Sequence, residues 1–115
     1  MHELSIALSI LEVAEEEVER CGGGQVEAIH LKIGPLAGVV PEALVSAYEL
    51  AREATPFAAS RLVIEEVPIA VFCSQCQAER AVHSVQEFTC VECNTPGSQV
   101  IHGRELQLAA LELAE

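Results

Sequence analysis

Two Cys-x-x-Cys pairs, Cys73-Ser-Gln-Cys76 and Cys90-Val-Glu-Cys93, stand thirteen residues apart in a chain of 115. Each pair can present two thiolates from one tight turn, and two such turns close a tetrahedron around Zn²⁺. Four protein ligands leave no open position for water or substrate, so the spacing predicts a structural metal and not a Lewis acid. The surrounding segment needs one. Residues 73 to 97 are polar and poor in large aliphatics, and they cannot build a core without a staple. Two disulfides fit the cysteine count, and a tetrathiolate iron site fits the geometry. A reducing compartment favours zinc over both.

Composition narrows the remaining options. Half the residues are apolar but only three Phe, one Tyr and no Trp are among them, so Leu, Val, Ile and Ala must do the packing. Six Lys plus Arg against eighteen acidic residues, all of them Glu, give a net charge of −12. That charge repels a phosphate backbone, and the cysteine segment offers only Arg80 against Glu79, Glu87 and Glu92. Nucleic acid is excluded as a partner. The first twenty residues lack the basic start and apolar run of a signal peptide, and no stretch is long enough to cross a bilayer. The expected location is cytoplasmic, with no membrane partner; nothing in the sequence excludes a homo-oligomer.

The rest of the chain reads as two amphipathic helices and three strands. Leu4, Leu8, Leu11 and Val18, with Ala7 and Ala14, recur at helical spacing opposite Glu12, Glu15, Glu16 and Glu19 until Gly22-Gly23-Gly24 ends the helix. Ile29, Leu31 and Ile33 then alternate with His30 and Lys32 as a half-buried strand. Pro41 suits the first turn of a second helix with Leu44, Ala47, Tyr48 and Ala51 as its apolar stripe. A strand over 61–72, interrupted by Pro68, and another over 98–113 flank the cysteine segment. In the last strand Leu106 and Leu108 share one parity and Leu111 and Leu113 the other, which predicts a bulge or bend near Ala109-Ala110. The expected fold is α+β: two helices on a small three-stranded sheet, with a zinc-ribbon-like domain inserted between the second and third strands. Residues 1-69 and 98-115 form the first domain, and 70-97 the inserted one.

Met1, His2 and Glu3 pose a separate question. A free α-amine, the first backbone nitrogens and the His2 imidazole can form adjoining chelate rings around one ion in a plane. Ni²⁺ and Cu²⁺ prefer nitrogen donors in a square, and Zn²⁺ does not. The helix dipole opposes a cation there, an effect that Glu3 and deprotonated amides must offset. The bland reading is a solvated terminus. His30, His83 and His102 read as strand or loop histidines, and Cys21 as a small residue at a helix end.

MHELSIALSILE at the start, VEAIHLKIGPLAGVVPEAL in the middle, the two CxxC pairs and the closing GRELQLAALEL together resemble the HypA/HybF family of hydrogenase maturation factors along the whole chain. The resemblance implies a nickel metallochaperone, not an enzyme. It implies Ni²⁺ as cargo on Met1, His2 and Glu3, and structural Zn²⁺ on Cys73, Cys76, Cys90 and Cys93. It also implies two partners, the GTPase HypB and the [NiFe] hydrogenase large subunit precursor. No G-x-x-x-x-G-K-[ST] loop is present, so any nucleotide energy comes from a partner. The rival readings are a zinc-ribbon interaction or transcription module, which wants basic residues around the cysteines, and an electron carrier with tetrathiolate iron, which would be red.

Overall fold

A computed structural model describes residues 2–114. Helix α1 (His2–Arg20) buries Ala7, Ile10, Leu11 and Ala14, a stripe at i, i+3, i+4 and i+7. The stripe is rotated from the expected one: Ile10 is inside, and Leu8 is half exposed. The helix ends in a Schellman turn, in which Gly22 N–H donates to Glu19 O and Gly23 N–H to Val18 O. Gly22 supplies the left-handed φ of 92° that this ending requires. Strand β1 (Val26–Ile33) follows, then a 3₁₀ turn at Pro35–Ala37, helix α2 (Pro41–Ala51) and strand β2 (Arg61–Glu66). Pro41 opens α2, where its missing N–H has no helical acceptor to lose. Leu44 and Tyr48 are the buried residues of α2, which packs on α1. The Tyr48 hydroxyl is satisfied by Ser60 Oγ, whose own hydroxyl reaches Phe57 O at 2.6 Å.

The remaining strands are β3 (Ala70–Cys73), β4 (Ala78–Ala81), β5 (Gln99–His102) and β6 (Leu106–Leu113). They make two sheets of three strands, ordered β2-β1-β6 and β4-β3-β5. The expected three-stranded sheet under two helices is the first of these, and the segment between β2 and β6 has a sheet of its own. Each of the long strands expected on either side of the cysteines is therefore two strands. Pro68 parts β2 from β3, and Gly103 with Arg104 parts β5 from β6. The chain divides into two compact units. One comprises the residues up to Lys32, Val39–Glu65 and those from Gln107 onward; the other comprises Ile33–Gly38 and Glu66–Leu106.

Strand β6 runs antiparallel to β1: Ala114 N–H donates to Gln25 O (2.8 Å) at one end, and Gly34 N–H to Glu105 O (2.9 Å) at the other. In β1 the adjacent Ala28 and Ile29 are both buried, and in β6 the half-buried residues are Leu108 and Leu111, so the alternation of inside and outside positions shifts once in each strand, in β6 at Ala109-Ala110.

Candidate metal sites

Cys73 is the last residue of β3, paired antiparallel with Ala78, the first of β4. The turn between them bends back on itself: Gln77 N–H donates to Cys73 O (2.8 Å), and Cys76 N–H points at Cys73 Sγ (3.4 Å). The second pair repeats the device, with Asn94 N–H on Cys90 O (2.8 Å) and Glu92 N–H on Cys90 Sγ (3.4 Å). In both turns the residue after the second cysteine is left-handed, Gln77 at φ 56° and Asn94 at φ 62°. These two positions were not legible as structural from residue type; their signal is their common place one residue beyond each CxxC.

The turns converge. All four Sγ atoms lie within 4.8 Å of one another. Cys73 to Cys93 is 3.4 Å, Cys76 to Cys93 3.8 Å and Cys76 to Cys90 4.0 Å. A tetrahedron with metal–sulfur bonds of about 2.3 Å has edges of about 3.8 Å, so the donor set fits Zn²⁺. Cys73 and Cys90 are fully buried and Cys93 is exposed. The four thiols are unequal in acidity. The Thr95 hydroxyl and backbone amide stabilise the Cys93 thiolate and lower its pKa to about 6. Burial, reinforced by hydrogen bonds with Cys73 and Cys93, raises that of Cys76 to about 11. The Arg80 guanidinium hydrogen-bonds Cys76, and its own pKa is raised in turn. Four close sulfurs cannot all ionise without a cation to balance them, and a divalent metal supplies that balance.

The N-terminal residues lie on the first turn of α1. His2 is exposed, Glu3 is half-buried, and Met1 lies outside the described residues. The other histidines are placed elsewhere. His30 faces Glu112 at 3.3 Å, a carboxylate that also meets Arg61 at 3.5 Å. His83 is exposed, with Nε2 2.8 Å from Asn94 Oδ1. His102 sits between Glu105 (2.9 Å) and Glu79 (4.0 Å). Cys21 is exposed at the end of α1. Among the described residues, the four cysteines are the one group of three or more His, Cys, Asp or Glu side chains gathered closely enough to hold an ion.

The chain is similar to known proteins along its length. A family model described as hydrogenase/urease nickel incorporation, metallochaperone, HypA matches residues 1–113. A hydrogenase maturation factor HypA of Chloroflexus aurantiacus is 47% identical over 112 residues, covering 97% of this chain and 98% of that protein. One from Desulfatibacillum aliphaticivorans is 34% identical over 116 residues, covering 100% and 88%. The solution structure of the Ni metallochaperone HypA from Helicobacter pylori matches with a TM-score of 0.68 at 22% identity over 96% of each chain. Another solution structure of HypA protein matches at 0.72 and 23%, over 99% of this chain and 97% of that one. At these identities the two structures speak for the shared fold.

Proposed function

The chain belongs to the HypA family of nickel metallochaperones for hydrogenase maturation, and from that membership we propose that it carries Ni²⁺ on Met1, His2 and Glu3 and delivers it to the [NiFe] hydrogenase large subunit precursor. The GTPase HypB is its partner, and the work is done in the cytoplasm. The observation that supports the site is the exposed His2 imidazole on the first turn of α1. The leading backbone N–H groups of a helix have no intrahelical acceptor, so they are free to turn toward a ligand or be deprotonated.

Nickel is cargo here. A ligand set on a chain end needs no preformed cavity, so its donors can peel away one at a time as a partner offers better ones. Delivery is then stepwise ligand exchange, without covalent catalysis or nucleotide hydrolysis by this chain. Cys73, Cys76, Cys90 and Cys93 hold structural Zn²⁺, which when bound contributes its binding free energy to folding. The two sites differ in donor type, nitrogen at the tip and sulfur in the turns, so the two ions sort themselves.

Titrating the untagged protein with both metals tests the assignment. The expected outcome is one zinc that His2→Ala leaves in place and a nickel affinity that His2→Ala, or an N-terminal tag, lowers by at least about tenfold, or about 1.4 kcal/mol. Nickel uptake unchanged by both alterations would overturn the tip. Acid should release nickel, because imidazole, amine and amide nitrogens bind only when unprotonated.

A further inference from the structure

Strand β4 places a cation on the metal side of its hairpin. The register pairs Cys73 with Ala78 and Val71 with Arg80, and residues paired across strands share a face. Val71 and Cys73 are fully buried, so Arg80 turns inward while Glu79, one residue earlier, turns away. Just beyond, Val82 bridges to Cys90 and Val91 N–H donates to Ala81 O (3.1 Å), which lays the second cysteine turn against the same strand. Arginine is rarely kept on an inward face without a counter-charge. Among the described residues no carboxylate forms an ion pair with Arg80. One Nη1–H meets the Glu79 carbonyl at 3.1 Å, and Nε is buried without a hydrogen-bond partner. The guanidinium lies against Cys76 Sγ, with the Glu92 carboxylate and Cys90 beyond it.

Each of the other three sulfurs has a donor from its own turn. Cys76 N–H points at Cys73 Sγ and Glu92 N–H at Cys90 Sγ, both at 3.4 Å, and Thr95 Oγ1 lies 3.2 Å from Cys93 Sγ. Among the described residues no backbone N–H or hydroxyl reaches Cys76 Sγ. Its donor is Arg80.

We propose that Arg80 is the counter-ion of the metal–thiolate cluster, donating to Cys76 Sγ and holding that ligand on Zn²⁺. This rests on the assignment of zinc to the four cysteines. Four thiolates around one divalent ion leave a double negative charge, in a chain already at −12, and Arg80 cancels about half of it. The dependence is mutual. With the metal and its thiolates gone, Arg80 stands on an inward face with no counter-charge, so it favours the loaded form over the empty one.

Two readouts on the full chain test this: release of zinc to excess chelator, and the sulfur-to-metal charge-transfer band of the cobalt-substituted protein. Arg80→Met keeps most of the side chain's bulk and removes its charge. Zinc release should become at least about tenfold faster. The cobalt band should move to longer wavelength, because a sulfur stripped of its donor gives up an electron more readily. Arg80→Lys keeps the charge without the planar fork, and both readouts should fall between. Arg104→Met removes the other, exposed cation of the same compact unit and should leave both as in the unaltered chain. Unchanged release and band in Arg80→Met, a lysine variant shifted as far as the methionine one, or an equal shift from Arg104→Met would overturn the pairing. A methionine variant that binds no metal supports it if lysine restores uptake and overturns it if lysine does not. An unaltered chain that takes up neither zinc nor cobalt would instead overturn the zinc assignment itself.

Discussion

Glu105 holds the junction between the last two strands with one side chain. Its carboxylate accepts the Nδ1–H of His102 at 2.9 Å and the N–H of Gly103 at 2.7 Å. The His102 bond first, then the backbone bonds, hold its carboxyl below the usual carboxylate range. A carboxylate with a depressed folded pKa binds fewer protons folded than unfolded, so its contribution is present at neutral pH and disappears as pH falls through the folded value. Glu105→Gln should lower the urea midpoint at neutral pH, and the midpoints of the two chains should converge at acid pH; a gap that persists there would mean packing, not charge, is at stake. None of this was legible in GREL, because a side chain bonding two and three residues back depends on a turn that residue type does not fix. The four cysteines were legible because ligand spacing is local chemistry. Gln77 and Asn94 were not, since their left-handed backbone is imposed by the turn and not by their side chains.

Among the elements, the helices and β1 could be read directly, since an amphipathic period survives whatever packs against it. The second sheet could not. Pro68 was visible as an interruption, but only the antiparallel register of β3 with both β4 and β5 moves Ala70–Cys73 into a different sheet from β2. Gly34 and Gly103 show why the connections are so tight. A Cβ on Gly34 would stand 2.1 Å from Gly103 O, and one on Gly103 would stand 3.0 Å from Ile69 Cγ1. Leu36 N–H also donates to Gly103 O at 2.7 Å, so the backbone there cannot drift aside without losing that bond. Gly34→Ala should cost at the upper end of the ~1–3 kcal/mol of an overpacked site, read as a lowered midpoint in equilibrium unfolding. An unshifted midpoint would mean that the two turns separate freely.

For the whole molecule, the question is which part of the chain depends on the metal. Both helices, and the buried Ala7, Leu11, Ala14, Ile29, Leu44 and Tyr48, belong to the first compact unit. The cysteine unit has Ile69, Val71, Cys73 and Cys90 among its buried apolar residues, two of them proposed as zinc ligands. A core of that size supplies at most roughly 3–5 kcal/mol, whereas a structural zinc contributes about 10–16 kcal/mol. Stripping the metal with a strong chelator under reducing conditions should therefore collapse amide dispersion for residues 66–106 while α1 and α2 keep most of the helical circular dichroism. Readdition of zinc should restore the lost resonances. Loss of the helical signal in step with the cysteine unit would instead make the chain one cooperative structure. The tip on α1 would then depend on zinc, and nickel uptake, measured on the stripped protein, would fall along with it.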